Sequence, residues 1–101
     1  MKKSQVIWTD ESLKDLDIIY DFLAEKSTKA AMKIVKSILA RSRQLETFPE
    51  SGSLQETEKS VNRTYRYLVE GNYKIIYSLG EKALYVEAIV DTRQDPDRYK
   101  I

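Results

Sequence analysis

Arg63-Thr64-Tyr65-Arg66-Tyr67-Leu68-Val69-Glu70-Gly71-Asn72-Tyr73-Lys74-Ile75-Ile76-Tyr77-Ser78-Leu79 is the stretch that decides the fold. Arg63 to Val69 is rich in aromatic and β-branched residues, the composition of a strand. Glu70-Gly71-Asn72 interrupts it as a turn, and Tyr73 to Leu79 resumes the strand pattern. Two strands joined by so short a turn pair antiparallel. Downstream, Gly80-Glu81-Lys82 is a second turn and Ala83 to Val90 a third strand, which extends the hairpin into a meander. Asp91 to Ile101 reads as a polar tail containing Pro96.

Upstream, the period of the apolar residues changes. Leu13, Leu16, Tyr20 and Leu23 recur at three- and four-residue spacing, with Ile19 beside them, so a helix is expected from about 11 to 26. Asp10 is placed to N-cap it, and Glu11 suits the positive end of the helix dipole. Ser27 or Thr28 offers a second N-cap. Ala31, Ile34, Val35, Ile38, Leu39, Leu45 and Phe48 form a second stripe, on a helix from about 28 to 48 that stops before Pro49. The tight connection makes the two an αα-hairpin. Gln5 to Thr9 reads as a short leading strand. Between Pro49 and Asn62 lies a polar, breaker-rich loop of roughly a dozen residues, a length that is uncommon and often functional. The order β-α-α-β-β-β gives an α+β, two-layer fold: a helical hairpin packed on one face of a mostly antiparallel sheet, with the other face uncovered. Residues 1–101 read as one domain.

Composition narrows the chemistry. The net charge is +1, so an electrostatic footprint must come from clustering on one face. There is no Cys, hence no disulfide framework and no thiol nucleophile. There is no His, which argues against a zinc site or a serine-histidine triad. No metal or cofactor is expected. The apolar run Val6-Ile7-Trp8 is too short for a signal peptide, and no stretch approaches the ~20 apolar residues of a membrane span. A cytoplasmic protein without a membrane partner is the expectation.

Most candidate site residues fall in the C-terminal half: Arg63 and Arg66 on the first meander strand, Lys74 on the second, and Arg93, Arg98 and Tyr99 in the tail. Side chains alternate across a strand, so Arg66 and Leu68 oppose Tyr65 and Tyr67. Neighbouring strands can bring Arg66 and Lys74 to one face, away from the helices, with Arg93 joining them at the edge. Interleaved basic and aromatic groups suit phosphate contact with base stacking. Tyrosines that merely pack in strands, and cations that merely solvate a face, give the same pattern.

Several segments resemble one family. Leu16-Asp17-Ile18-Ile19-Tyr20-Asp21-Phe22-Leu23 is similar to the first-helix pattern of ParE-type toxins. Ser27-Thr28-Lys29-Ala30-Ala31 resembles the start of their second helix, and Leu45-Glu46-Thr47-Phe48-Pro49-Glu50-Ser51-Gly52 its exit. Arg66 to Tyr77 resembles their hairpin, and Asp91-Thr92-Arg93-Gln94-Asp95-Pro96 their C-terminal segment. In this order, over nearly the whole chain, the pieces resemble the RelE/ParE superfamily of bacterial type II toxin–antitoxin systems, and ParE-like members more than RelE-like ones.

The resemblance implies a growth-inhibiting toxin held inactive by a cognate antitoxin, as a homodimer or as a heterotetramer with the antitoxin. ParE-like members poison DNA gyrase; RelE-like members cleave messenger RNA on the ribosome without a metal. In the ribonuclease reading Lys74, Arg93 and Tyr99 would be catalytic, with Lys74 standing where the family has Arg. In either reading Arg63, Arg66, Lys74, Arg93 and Arg98 would meet the target. A proton acceptor for the 2′-hydroxyl would have to be Lys, Tyr or a carboxylate; Lys and Tyr titrate about three units above neutral, a shift worth roughly 4 kcal/mol. RelE-like chains are also strongly basic. The ParE-like reading is therefore preferred. A third reading, an inactive complex-forming partner, follows from Lys74, which lacks the bidentate fork of Arg. Ile18, Ile19, Phe22 and Leu23 span more than one stripe, and the excess is the expected groove for an antitoxin helix.

Overall fold

The computed structural model describes residues 3–55 and 64–93. Its elements are β1 (Gln5–Trp8), α1 (Asp10–Ala24), α2 (Thr28–Ser42), α3 (Gln44–Thr47), β2 (Ser53–Leu54), β3 (Tyr65–Glu70), β4 (Tyr73–Leu79) and β5 (Ala83–Asp91). They form one five-stranded sheet of order β1-β5-β4-β3-β2. Among the described residues only the β1–β5 pair is parallel; the helices carry the chain from β1 at one edge of the sheet to β2 at the other. The α+β, β-α-α-β-β-β architecture expected from the sequence is the one found.

Local chemistry refines the boundaries. Thr9, not Asp10, caps α1: it is extended, and its hydroxyl accepts from the Ser12 amide at 3.1 Å. Asp10 is already helical and works through the dipole instead. Ser27 caps α2, with its hydroxyl accepting from the Ala30 amide at 3.1 Å. The second helix does not run unbroken to Phe48. It ends at Ser42, and the separate turn α3 carries Leu45 into the core with no exposed surface. The long loop contains a two-residue strand, β2, paired to β3. The tail begins later than expected, since Asp91 still pairs with Tyr73. In the β3–β4 turn Gly71 has φ 59° and Asn72 a negative φ, the signature of a type II′ hairpin turn.

The core lies between the hairpin and one sheet face. Leu16, Ile38 and Leu45 from the helical layer meet Leu68, Tyr73, Ile75, Tyr77, Leu84, Val86 and Ile89. Beyond the end of β1 the edge of β5 is completed by side chains. Thr9 Oγ1 donates to the Val86 carbonyl at 3.0 Å, and Asp15 accepts from the Ile89 amide at 3.0 Å. Burial raises the Asp15 carboxyl above its ordinary pKa against the opposing pull of that hydrogen bond.

Register assigns every strand residue to a face. Residues paired across the ladder share one, so Arg66, Tyr77 and Val86 lie with the helices. Lys74, with partners Val69 and Val90, lies on the other face. No helix covers that second face among the described residues, yet its centre is not bare: Ile76 and Ser78 are buried there, flanked in register by Tyr67 and Ala88, and by Tyr65 and Tyr85. The β4–β5 register shifts between Ile76 and Tyr77, leaving Glu87 as an extra residue in β5. Ser78 Oγ donates to Glu87 at 2.6 Å.

Candidate functional site

The bulge at Glu87 reverses the alternation of β5. Leu84 and Val86 point to the core before it, Ile89 and Asp91 after it. Arg93, two residues past Asp91, therefore belongs to the helix side. Its guanidinium is engaged by Asp91 in a forked pair, Nε to Oδ1 at 3.0 Å and Nη2 to Oδ2 at 2.8 Å, and its amide donates to Oδ1 at 2.9 Å. Hydrogen bonding from Arg93 lowers the Asp91 pKa below the usual carboxylate value.

The three cations expected to converge do not. Lys74 lies on the face away from the helices, with Nζ 3.9 Å from the Tyr67 ring centroid and 3.3 Å from Gln55 Oε1. Arg66 is on the helix side at the other end of the sheet from Arg93, and its Nη1 donates to the Gly52 carbonyl at 2.9 Å. It is part of a clamp in which the Gly52 amide also donates to the Tyr77 hydroxyl at 2.9 Å. Burial raises the Tyr77 pKa, with the Gly52 hydrogen bond and the Arg66 charge opposing. The expectation that Arg66 and Lys74 share a face is thus corrected by register: Lys74 pairs with Val69, three residues along β3 from Arg66, and an odd offset changes face. Arg63, Arg98 and Tyr99 lie outside the described residues.

A different grouping does assemble. Ile18, Ile19, Phe22 and Leu23 line one groove of about 660 Å³ together with Tyr73 and Arg93. Ile18 is 60% and Phe22 66% exposed, whereas Ile19, packed against the core, and Leu23 are half-buried. Glu25 and Lys26 of the hairpin turn and the Asp91–Arg93 pair also line the groove. Burial raises the Tyr73 hydroxyl pKa, the Asp91 charge adds to the rise and Arg93 counters it. An apolar groove with charged side chains in its lining matches an amphipathic peptide helix better than it matches a small polar substrate.

Sequence reasoning found the four apolar residues through the excess width of their stripe. It missed Asp91 as the partner of Arg93, although the i, i+2 spacing was there to read. It also missed Tyr73 as a groove wall and Gln55 as the partner of Lys74; only register and loop path reveal those. Among the described residues no group of three or more His, Cys, Asp or Glu side chains is placed to hold a metal ion, and no helix is long and apolar enough to cross a membrane.

Comparison with known proteins bears on this arrangement. A family model described as ParE toxin of type II toxin-antitoxin system, parDE, matches residues 6–96. Among solved structures, the chain is similar to one from the chromosomal ParDE TA system of P. aeruginosa. The TM-score is 0.71 at 21% identity, covering 88% of this chain and 96% of that one, a likeness of fold. No curated protein matches significantly.

Proposed function

The chain belongs to the ParE toxin family of type II toxin–antitoxin systems, and from that membership we propose that it arrests growth by poisoning DNA gyrase and is held inactive by a cognate antitoxin. In this reading residues 1–101 are one toxin domain acting in the cytoplasm. Its antitoxin lays an amphipathic helix into the groove of Ile18, Ile19, Phe22 and Leu23.

The observation that carries the choice of target is the separation of Lys74 from Arg93. A phosphodiesterase needs its cations to converge on one phosphate and to stabilise the charge that develops there. Here the two sit on opposite faces of the sheet, and the Arg93 guanidinium is already neutralised by Asp91. Inhibition of gyrase needs no convergence of cations on one phosphate, so Arg63, Arg66, Lys74, Arg93 and Arg98 are proposed as target contacts taken singly, Lys74 from the open face and Arg66 and Arg93 from opposite ends of the helix side. The RelE-like reading, with Lys74, Arg93 and Tyr99 catalytic, and the inactive-partner reading are the alternatives that the test must remove.

Expression in bacteria without antitoxin is expected to stop growth. Purified chain added to gyrase and supercoiled plasmid is expected to block supercoiling and accumulate cleaved DNA. In a ribosome-programmed assay messenger RNA is expected to stay intact. Normal growth at good expression would show an inactive partner; ribosome-dependent cleavage with gyrase unaffected would establish the RelE-like activity instead.

A further inference from the structure

A net charge of +1 conceals a sharp segregation. Helix α1 holds Asp10, Glu11, Asp15, Asp17 and Asp21 against one base, Lys14. Helix α2 holds Lys29, Lys33, Lys36 and Arg41 and no acidic residue. The buried residues of α2 are Ala31, Ile38 and Ser42, which mark the direction of the core. At 3.6 residues per turn, Lys29, Lys33, Lys36 and Ala40 project away from it. All four are exposed, as is Arg43 just past the helix end. The three lysines border one shallow depression of about 620 Å³ with Met32, Ser37 and Ala40. Among the described residues none of their ammonium groups has an ion-pair or hydrogen-bond partner.

Helix physics alone would not choose this arrangement. Lys29 stands in the first turn, where the dipole disfavours a cation. Lys29–Lys33 and Lys33–Lys36 are like-charge pairs at i, i+4 and i, i+3, which weaken a helix. Acidic residues that could relieve them are plentiful in the chain and are placed on α1 instead.

We propose that the outer face of α2 is a phosphate-contact stripe that lies along the backbone of duplex DNA. The charges run in a row: at 1.5 Å per residue, Lys29 to Lys36 spans about 10 Å and Lys29 to Arg43 about 21 Å. A linear row of point-like ammonium charges matches a linear row of phosphates. Two features of the face select the occupant. It carries no aromatic residue, so it offers single-stranded nucleic acid no base-stacking platform. Its one large exposed apolar side chain is Met32, too little for an acidic amphipathic helix to bury. The stripe is separate from the groove on α1 and from the residues assigned to gyrase, so it stands or falls independently of the target proposed above.

Fluorescence anisotropy of the purified chain with a labelled duplex of arbitrary sequence, titrated between 50 and 200 mM NaCl, tests this. Three neutralised phosphates give a slope of log K against log salt of about −2.7, a loss of roughly 40-fold over that range. Lys29→Gln/Lys33→Gln/Lys36→Gln is expected to reduce the slope to about −1 or less and to weaken binding at 50 mM at least about tenfold. Circular dichroism should show the helices intact, since Gln is as good a helix former as Lys. Lys14→Gln/Lys82→Gln removes two cations elsewhere and should leave the slope unchanged. Absence of duplex binding at 50 mM would overturn the proposal, as would a slope indifferent to the triple substitution. Tighter binding to a single strand, or to polyglutamate in place of duplex, would overturn it equally and assign the face to that partner.

Discussion

Ile18→Ala/Phe22→Ala is the substitution that most directly tests the groove as the antitoxin site. Full burial of an Ile or Phe side chain contributes about 2–3 kcal/mol. Ile18 is 60% and Phe22 66% exposed in the free chain, and that remainder is what a docked helix can still cover. Each side chain then contributes about 1.5 kcal/mol to the complex, and the pair about 3 kcal/mol, which is roughly a 100-fold rise in Kd. The free chain should scarcely notice. Substitutions at positions so exposed usually change folding stability by no more than about 0.5 kcal/mol. The assay is isothermal titration of wild-type and variant chain with the small protein whose co-expression restores growth, beside urea denaturation of each chain. In cells, toxicity should persist while rescue by the antitoxin fails. A Kd within about threefold of wild type, at unchanged stability, would refute the assignment of this groove.

Other consequences concern the fold that holds the groove and the sheet in place. Tyr77→Phe leaves the buried Gly52 amide without its acceptor and should cost about 1–3 kcal/mol in denaturant unfolding; an unchanged midpoint would mean that the amide has another partner. Gly52→Ala places a Cβ 2.6 Å from the Tyr67 carbonyl and 2.7 Å from the Tyr77 hydroxyl, so the loop must shift, at a cost of about 1–3 kcal/mol. Asp15 and Asp91 have opposite pH signatures. The raised Asp15 pKa means that its contribution to stability is complete below the unfolded value, ~3.9, and is lost as pH rises through the folded value. The lowered Asp91 pKa means that its contribution is present above ~3.9 and is lost as pH falls through the folded value. Asp15→Asn should therefore flatten the stability profile on the alkaline side of that pH and Asp91→Asn on the acid side; the reverse pattern in a urea series across pH would contradict both assignments.

Periodicity made the elements legible, because it is a local property. Tyr73 to Leu79 was bounded by Asn72 and Gly80 in the sequence and is β4 in the structure. The second helix was less legible at its end. Leu45 and Phe48 continue the apolar spacing of α2, but the chain breaks at Arg43 and α3 restarts the turn, so Leu45 is fully buried while Phe48 is exposed. Spacing alone does not distinguish an unbroken helix from two that share a stripe. The groove residues were visible as surplus width on α1, since a single stripe cannot hold Ile18 and Leu23 together. The separation of the cations was not legible, because it depends on pairing between strands. Register set Arg66 opposite Tyr77, and no local signal records that choice.

A single extra residue explains why the cations separate as they do. With unbroken alternation from Leu84 and Val86, the core positions of β5 would continue at Ala88 and Val90. Asp91 and Arg93 would then share the open face with Lys74 and the tyrosines. The additional residue at Glu87 brings Ile89 into the core in place of Ala88 and turns Asp91 and Arg93 toward α1. The exchange is favourable for packing, since Ile89 buries more apolar surface than Ala88 would. Its functional consequence is larger. The bulge withdraws the Asp91–Arg93 pair from the face where it could have helped grip a phosphate and sets it at the border of an apolar groove. There its fixed charges can orient a peptide. Bulges commonly re-aim side chains beside functional sites, and under the proposed function this one serves protein recognition rather than phosphate chemistry.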